Sequence, residues 1–545
     1  MSVESESKAN VDVVVVGAGF AGLYLLQKLR NLGYSVQVFE AGDGVGGTWY
    51  WNRYPGARCD AESMAYSYSF SPELEQEWEW TERYATQPEI LKYINHVADR
   101  FELWPQIKLE TRVVSAKYNE AENEWSVETD QADRVVARYC IMATGCLSTP
   151  QEPDIKGLSN FSGPTYYASQ WPHKSVDFAD KRVGLIGTGS SAIQAIPVIA
   201  KGAKHLTVFQ RTANFSVPAR NGVLDPSWVS GYKEDYRKHR NDYRLGLVSS
   251  FGDLMLEDEF RGPSETMITT VSLEQAYKTL DIYWESGGAR FLGAYIDTLV
   301  SEEANEIVAE YVRDKIRKTV QDPKTAELLC PRSHPIGTKR ICVDTDYYAT
   351  FNLPHVDLID VASAPITEIT EAGLKTADEE YEFDVLVLAT GFDAMTGTLL
   401  AMNIEGVGGL ALKDKWHEGP KSYLGLGING FPNLFTITGP GSPSVLSNMI
   451  VSIEQHVDWV TELLEHLKAN DLSRVEADAG AEQTWVGHVN EVANATLFPK
   501  AGSWYMGANI PGKPRMFMPY AAGVGAYRQI CDDVAKKKYE GFVLS

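Results

Sequence analysis

The sequence predicts an α/β fold with two Rossmann-like dinucleotide-binding domains and a helical insertion in the second of them. Two stretches carry this prediction, residues 11–41 and residues 182–211. Each has an apolar β-branched run, the pattern Gly-x-Gly-x-x-Gly or its Ala-ended variant, a segment of helical period and a second apolar run. That order describes a strand, a phosphate-binding turn, a helix and a second strand. The chain has 545 residues, which is room for two or three domains.

The two turns overlay without a gap, and each small residue in them has its own task. The first glycine allows the tight turn, the second lets the backbone approach a pyrophosphate, and the third position keeps the helix close to the sheet. The helix that follows points its free N–H groups at the phosphates. We expect cofactor contacts from Gly17, Gly19, Phe20 and Gly22 in the first turn, and from Gly187, Thr188, Gly189, Ser190 and Ser191 in the second.

The second strands of the two units end in different residues, and the residue at this position determines which dinucleotide is bound. Glu40 ends the first, and a carboxylate there binds ribose hydroxyls and repels a 2′-phosphate, which favours FAD or NAD. Gln210 takes the matching place in the second unit and is followed by Arg211 and Thr212, which favours the 2′-phosphate of NADPH. One such turn can arise by chance, but two in register with opposite endings argue against coincidence. The sequence therefore predicts one chain that holds FAD and the NADPH that reduces it.

Net charge and hydropathy limit the possible binding partners and the cellular location of the protein. The formal net charge is −23 and the sequence pI is about 4.9, which disfavours nucleic acid and anionic membranes as partners. Residues 1–10 are polar, so we expect no signal peptide, and we expect about the first eight residues to be disordered. No run reaches the ~20 apolar residues of a membrane span. We expect a cytoplasmic protein, and our working hypothesis for its assembly is a monomer or a weak homo-oligomer.

Metal and dithiol chemistry are not predicted. The six cysteines form no Cys-x-x-Cys pair, which argues against a dithiol flavoenzyme and against a zinc site. The ten histidines show no metal-binding spacing, and there is no Gly-x-Ser-x-Gly elbow of a hydrolase. Reduced, buried thiols are expected at Cys59, Cys140, Cys146, Cys330, Cys342 and Cys531.

Strand patterns and two similar small-residue turns suggest how the two domains alternate along the chain. An Ala-Thr-Gly turn follows an apolar strand pattern at residues 143–145 and again at residues 389–391. We predict a flavin domain over 1–146 and 386–545, an NADPH domain over 147–220 and 337–385, and the helical insertion over 221–336. Strands are predicted over 108–118, 125–129, 135–142, 356–361 and 383–389, and helices from Thr86 onward and over 449–467.

Two longer motifs are specific enough to indicate a family. The first, Gly-Gly-x-Trp-x-x-x-x-Tyr-Pro-Gly-x-x-x-Asp, is complete and comprises Gly46, Gly47, Trp49, Tyr54, Pro55, Gly56 and Asp60. The second, Phe-x-Gly-x-x-x-His-x-x-x-Trp-Pro, is met by Phe161, Gly163, Trp171 and Pro172, but Tyr167 replaces its histidine. With these motifs the chain resembles the type I Baeyer–Villiger monooxygenases over nearly its whole length, and it is most similar to the phenylacetone monooxygenase branch.

The resemblance implies roles for individual residues. Arg340 would be the cation that stabilises a flavin C4a-peroxide in a dry site, and Asp60 would orient it. Lys339 would join Arg211 and Thr212 around the 2′-phosphate. Further cofactor contacts would come from Gly47, Thr48, Trp49 and Tyr54 along the flavin and from Trp504 against the nicotinamide nucleotide. The implied substrate pocket is lined by Cys146, Leu147, Ser442 and Leu446.

The reaction implied by the resemblance is the NADPH- and O2-dependent conversion of a ketone to an ester or lactone, with NADP+ kept bound. Tyr167 leaves an alternative open, because the second motif separates these enzymes from flavin monooxygenases that oxygenate amine nitrogen or sulfide sulfur. A third hypothesis is a flavin-dependent redox sensor without an organic product. Asp393 is expected to form a cap or a hydrogen bond near the flavin rather than to act as a base.

Overall fold

A computed structural model describes residues 9–247 and 264–545. The expected disorder of the first eight residues, and the part of the predicted insertion over 248–263, lie outside the described residues. The strands are β1 Ala9–Val16, β2 Val36–Phe39, β3 Ile107–Lys108, β4 Val113–Asn119, β5 Glu124–Thr129, β6 Arg134–Met142, β7 Thr165–Tyr167, β8 Arg182–Ile186, β9 His205–Gln210, β10 Ser216–Pro218, β11 Cys342–Asp344, β12 Val356–Asp360, β13 Ile366–Ile369, β14 Gly373–Thr376, β15 Glu380–Glu382, β16 Val385–Leu388, β17 Asn403–Glu405, β18 Leu434–Thr436, β19 Val475–Ala477 and β20 Phe542–Leu544. The helices are α1 Phe20–Asn31, α2 Thr48–Trp51, α3 Pro72–Glu77, α4 Gln87–Arg100, α5 Ser190–Gly202, α6 Pro226–Glu234, α7 Tyr236–Leu245, α8 Leu273–Ser286, α9 Glu302–Thr319, α10 Pro323–Leu329, α11 Tyr347–Thr350, α12 Gly397–Ala401, α13 Leu412–Lys415, α14 Met449–Ala469, α15 Ala479–Asn494 and α16 Val524–Lys536.

The first nucleotide unit is built on an eight-stranded sheet in the order β17-β4-β5-β6-β1-β2-β3, with β18 also paired to β6. Strand β1 lies between β2 and β6, parallel to both, with Val15 opposite Val38 and Ile141. Its side chains alternate between two cores: Val13 and Val15 face one core, and Val14 and Val16 face the other. Burial on both faces explains why this strand reads as a continuous apolar run.

The second nucleotide unit has a five-stranded sheet in the order β12-β9-β8-β16-β7, parallel at every pairing. Strand β8 is central, and α5 follows it directly, as the glycine pattern predicts. Tyr167, which replaces the motif histidine, lies on edge strand β7 opposite Leu388 and is half-buried. In both units the glycine turn lies at the carboxyl edge of the sheet, where open α/β sheets bind ligands.

Most predicted elements are confirmed, and the strand predicted over residues 108–118 is wrong in its first half. The chain leaves the sheet after Lys108 and returns at Val113. Between them Glu110 has φ +51°, its N–H donates to the carbonyl of Gly42 (2.8 Å), and the next N–H donates to the carbonyl of Glu40 (2.8 Å). These bonds close a turn around the end of β2, an arrangement that the apolar pattern alone does not reveal.

The described part of the predicted insertion is helical and packs on both units. Helix α7 packs against the first nucleotide unit, where Tyr236 donates to the carbonyl of Met64 (2.7 Å) and Arg240 pairs with Glu75 (2.9 Å), both charges being buried. Helices α8, α9 and α10 contribute instead to the core of the second sheet. The insertion therefore spans the boundary between the two sheets rather than extending from one of them.

Candidate active site

The first glycine turn is closed in by the backbone of neighbouring segments. Gly17 has φ +104°, and a Cβ on it would lie 2.6 Å from the carbonyl oxygen of Ala143. A Cβ on Gly19 would lie 3.3 Å from the Cα of Gly47, and one on Gly22 would overlap the carbonyl of Gly17 at 1.8 Å. The turn is therefore a backbone-lined cradle with no room for side chains, as a bound pyrophosphate requires. Phe20 begins α1 from a buried position.

Glu40 supports this cradle from the end of β2. The side chain is buried, and its two carboxylate oxygens accept from the N–H groups of Ala18 (2.8 Å) and Gly42 (2.9 Å). Burial raises the pKa of Glu40, and the N–H groups partly oppose that rise. The structure thus brings the residue that was predicted to sort nucleotides directly against the first turn.

The first motif forms the loop that faces this turn. Gly46 and Gly47 have φ +133° and +53° and lead into the short helix that carries Thr48, which is exposed, and Trp49, which is buried. The indole N–H of Trp49 donates to the hydroxyl of Tyr66 (3.1 Å). Thr48 is thus accessible to a ligand, while Trp49 anchors the loop to the protein.

The second turn has the same backbone strain in more open surroundings. Gly187 has φ +116°, and a Cβ on it would lie 2.5 Å from the carbonyl oxygen of Ala389. A Cβ on Gly189 would meet no atom of the described residues within 4 Å, and both Gly189 and Ser190 are exposed. Thr188 is buried and donates to the carbonyl of Thr212 (2.9 Å), while Ser191 is half-buried at the start of α5.

Basic residues gather at the end of the second unit. Arg211 is exposed. Burial first and the positive charge of Arg211 second lower the pKa of Lys339, so the two charges act on one another. Two like charges held together suit a site for an anion such as a 2′-phosphate. Gln210 is buried, and its side-chain amide donates to the carbonyl of Leu328 (2.7 Å). The residues at both turns therefore fit the two predicted dinucleotides.

Arg340 and Asp60 form a bidentate ion pair between the two units. Nε of Arg340 lies 2.7 Å and Nη2 lies 2.9 Å from the two oxygens of Asp60, and Nη1 donates to the carbonyl of Val445 (2.6 Å). Burial alone would raise the pKa of Asp60, but the charge and hydrogen bonds of Arg340 outweigh it and lower that pKa. Burial opposes the charge of Arg340 as well, and Asp60 more than compensates, so the pKa of Arg340 is raised. The pair is fully charged at neutral pH, and about a quarter of each side chain stays accessible (23% and 26%).

An apolar cluster lies beside the pair and contains most of the predicted pocket residues. Cys146 is buried in it and Leu147, Leu446 and Trp504 are partly buried against it. Ser442 is not among the cluster's residues; it is buried, and its hydroxyl donates to the carbonyl of Gly439 (2.7 Å). All six cysteines are free and buried, as predicted.

Three contributors to the site were not predicted. The carbonyl of Val445 holds Arg340 directly. Tyr505 is buried beside Arg340: burial raises the pKa of its hydroxyl to about 12, although the charge and hydrogen bonding of Arg340 lower it. Lys513 pairs with Asp393 (2.5 Å) and so ties the loop that carries Trp504 to the segment that follows β16. Only the proximity of Tyr505 to Trp504 in sequence could have signalled any of these.

Two dinucleotide folds in one chain are typical of flavoproteins that take electrons from a pyridine nucleotide. A family model described as pyridine nucleotide-disulphide oxidoreductase matches residues 14–240, which include both glycine turns. A Baeyer–Villiger monooxygenase of Pseudooceanicola batsensis is 40% identical over 551 residues, covering 100% of this chain and 98% of the relative. A phenazine N-monooxygenase of Lysobacter antibioticus is also 40% identical, covering 98% and 97%.

Solved structures agree with this placement. The structure of an oxidized steroid monooxygenase bound to NADP matches with a TM-score of 0.93 at 48% identity and covers 98% of this chain and 99% of its own. The chain belongs to the Baeyer–Villiger monooxygenases. The predicted fold class is confirmed, and so are the cofactors, because solved members of the family contain FAD and NADP. The particular branch stays a prediction.

Membrane spans and metal clusters are both absent from the described part of the chain. Among residues 9–247 and 264–545, no helix combines the length and the apolarity needed to cross a bilayer. The same residues contain no group of three or more His, Cys, Asp or Glu side chains that could hold a metal ion.

Proposed function

We propose that this protein oxidises ketones to esters or lactones with NADPH and O2, and that Arg340 and Asp60 are its catalytic pair. The observation that carries the proposal is the geometry of that pair, which lies between the two nucleotide units and beside an apolar cluster. When bound, FAD would take a hydride from NADPH and pass the electrons to O2 at this place. The chain then has to hold charge, position the substrate and exclude water.

Arg340 would stabilise negative charge that develops on oxygen next to it. A unit charge at ~4 Å in an effective dielectric near 20 is worth ~4 kcal/mol. That energy lowers the pKa of a neighbouring acid by about three units, at ~1.4 kcal/mol per unit. Asp60 and the carbonyl of Val445 fix the guanidinium plane in advance, so that little reorganisation is needed when the charge appears.

The substrate would enter the apolar cluster. Leu147, Leu446 and Trp504 offer apolar surface and no charge, which suits the hydrocarbon part of a ketone. Burial raises the pKa of Cys146 to about 11, although the hydroxyl of Ser444 partly opposes it. The thiol therefore stays protonated at neutral pH and shapes the pocket without acting as a nucleophile.

The proposal extends to the setting in which the enzyme works. The strongly acidic chain suits small-molecule substrates rather than nucleic acid or membranes. Six buried free thiols suit the reducing cytoplasm. We place the enzyme there as a monomer or weak homo-oligomer, which gel filtration over a range of concentrations tests.

The experiment that tests the reaction compares Arg340→Ala with Arg332→Ala. Arg332 lies on the same segment, is exposed, and pairs with Glu327 away from the apolar cluster, so it controls for the loss of one arginine. Arg340→Ala should still have its FAD reduced by NADPH but release H2O2 instead of ester, whereas Arg332→Ala should match the wild type. Normal ester formation by Arg340→Ala would contradict the assignment.

Oxygenation at nitrogen or sulfur is the second candidate. Two observations favour it: a relative at 40% identity is a phenazine N-monooxygenase, and Tyr167 replaces the histidine of the second motif. Incubation with phenylacetone and with a tertiary amine, each with NADPH and O2, separates the two reactions. Ester from phenylacetone supports the first proposal, and amine oxide without any ester supports the second.

A further inference from the structure

Gln194 fastens the coenzyme helix of the second unit to the first motif of the flavin unit. It lies on α5, in the turn after Ser190. Its Oε1 accepts from the hydroxyl of Tyr54 (2.9 Å) and from the N–H of Arg58 (3.3 Å), and its Nε2 donates to the carbonyl of Arg58 (3.1 Å). Both ends of one amide are thus used on two residues of a loop that is 136–140 positions away in sequence.

The backbone between those two residues lies directly on α5. Gly56 has φ +81°, and a Cβ on it would lie 2.4 Å from the carbonyl oxygen of Gln194 and 3.0 Å from a methyl of Val198. The Tyr-Pro-Gly part of the first motif therefore needs glycine because a helix of the other unit occupies the space. Arg58 is held from its far side by Glu82 (2.9 Å) and by the carbonyl of Tyr84 (3.2 Å).

This contact stands between the two functional ends of the interface. Two residues beyond Arg58 the same loop presents Asp60, which orients Arg340. The N-terminus of α5 is capped by Gly189, the open glycine of the coenzyme turn. We infer that Gln194 is a positioning residue, which couples occupancy of the second glycine turn to the alignment of Asp60 with Arg340.

An amide is better suited to this task than an apolar side chain of the same size. It offers an acceptor to a hydroxyl and a backbone N–H, and a donor to a backbone carbonyl, so it specifies the register of the loop as well as its distance. Leucine at this position would fill the space and leave those three groups without their partner.

The test uses flavin-loaded full-length protein carrying Gln194→Leu or Gln194→Glu. Gln529→Leu is the matched control, because Gln529 is an exposed helical glutamine whose amide donates to Asp533 within α16. The measurements are the dissociation constant of NADP+ from absorbance titration, the rate of flavin reduction by NADPH, and the fraction of consumed NADPH that appears as H2O2.

Gln194→Leu should raise both the dissociation constant of NADP+ and the H2O2 fraction, each by about fivefold or more. That is the usual size of coupling between two sites. Gln194→Glu keeps the acceptors for Tyr54 and for the Arg58 N–H and should lie between Gln194→Leu and the wild type. In the Gln194→Leu background, Tyr54→Phe should have less effect than it has alone. Flavin-loaded Gln194→Leu with wild-type NADP+ affinity and wild-type H2O2 fraction would overturn the inference.

The positioning role of Gln194 depends on the proposed function only for what the coupling serves, which is ester formation. The two proposals can therefore fail separately. If the wild type forms no ester but Gln194→Leu still weakens NADP+ binding, the proposed reaction is wrong and the positioning role stands. If the wild type forms ester and Gln194→Leu behaves like Gln529→Leu, the reaction stands and the positioning role is wrong.

Discussion

The two glycine turns of this chain share one sequence pattern and differ in what surrounds them. At the first, the loop with Gly47 comes within 3.3 Å of the place of a Cβ on Gly19, and Glu40 is buried against the turn. At the second, no described atom lies within 4 Å of the equivalent place at Gly189, and Arg211 at the end of the unit is exposed. Identical backbone chemistry is thus enclosed in one unit and accessible in the other.

This difference shows how one fold can serve two kinds of cofactor. An enclosed turn suits a cofactor that stays bound, because the chain must open before it leaves. An accessible turn suits a coenzyme that arrives and departs in each cycle. Arg340 and Asp60 meet at the boundary between the two units, so a fixed charge pair lies where the units join.

Alanine at the first glycine of each turn is the strongest way to break this comparison. Gly17 and Gly187 have φ of +104° and +116°, and a Cβ on either would lie within 2.6 Å of a carbonyl oxygen. Backbone strain and overpacking together should lower the free energy of unfolding by about 2–5 kcal/mol in both variants. Gly17→Ala should be isolated largely without flavin, while Gly187→Ala should keep flavin and lose its reduction by NADPH. Flavin absorbance per chain and stopped-flow reduction measure the two effects.

Gly17→Ala and Gly187→Ala serve as controls for one another, since the two substitutions impose nearly the same backbone strain. If Gly187→Ala loses its flavin as readily as Gly17→Ala, the two turns are not independent sites. Equal retention of flavin by both would show that enclosure does not hold the cofactor.

Removal of one charge from the accessible unit should have the next largest effect. Lys339→Ala should raise the KM for NADPH by about 10- to 100-fold, because a hydrogen bond to a charged group is worth about 1.5–3 kcal/mol. The KM for NADH should change little, since NADH has no 2′-phosphate. Lys204→Ala is the matched control, an exposed lysine just before β9, at the opposite end of that strand from Arg211. An equal loss with both coenzymes would remove Lys339 from the phosphate site.

The features that a sequence pattern predicts best are those with a local structural cause. Glycine at a positive φ is demanded by the turn itself, and Glu40 follows from its place at the end of a strand, so a pattern of a few residues suffices. The partnership of Arg340 with Asp60 came from the family resemblance, and the geometry agrees with it.

The contributions that were missed depend on how distant segments pack. Gln194 reaches Tyr54 only because α5 lies on the first motif, and no periodicity encodes that contact. The carbonyl of Val445 has no side-chain signal at all. The turn at Glu110 exists because the chain must pass the end of β2, so an apolar pattern extended the strand too far.

Alanine at the second glycine of each turn sharpens the comparison at a smaller scale. Gly19 and Gly189 have φ of −81° and −83°, which alanine adopts without strain, so only the available space differs. Gly189→Ala should leave stability unchanged or raise it by about 0.4–1 kcal/mol, through loss of unfolded-state freedom, and raise the KM for NADPH. Gly19→Ala should instead lose stability, because the backbone at Gly47 has to move. Urea unfolding of flavin-loaded protein and coenzyme kinetics distinguish the two, and an unchanged KM in Gly189→Ala would show that the pyrophosphate does not approach that backbone.

The smallest predicted effect is the dependence of NADPH binding on pH. Burial and the charge of Arg211 lower the pKa of Lys339, and only its protonated form attracts a phosphate. As pH rises through that lowered pKa the positive charge is lost, so the KM for NADPH should rise a few-fold at pH values below the ordinary lysine pKa of about 10.4. Neighbouring His334 cannot cause this change, because burial first, then Lys339 and Arg313, lower its pKa to about 4 and leave it neutral throughout. Lys339→Arg should abolish the pH dependence, and NADH should not show it; a rise that survives in Lys339→Arg would show that Lys339 is not its cause.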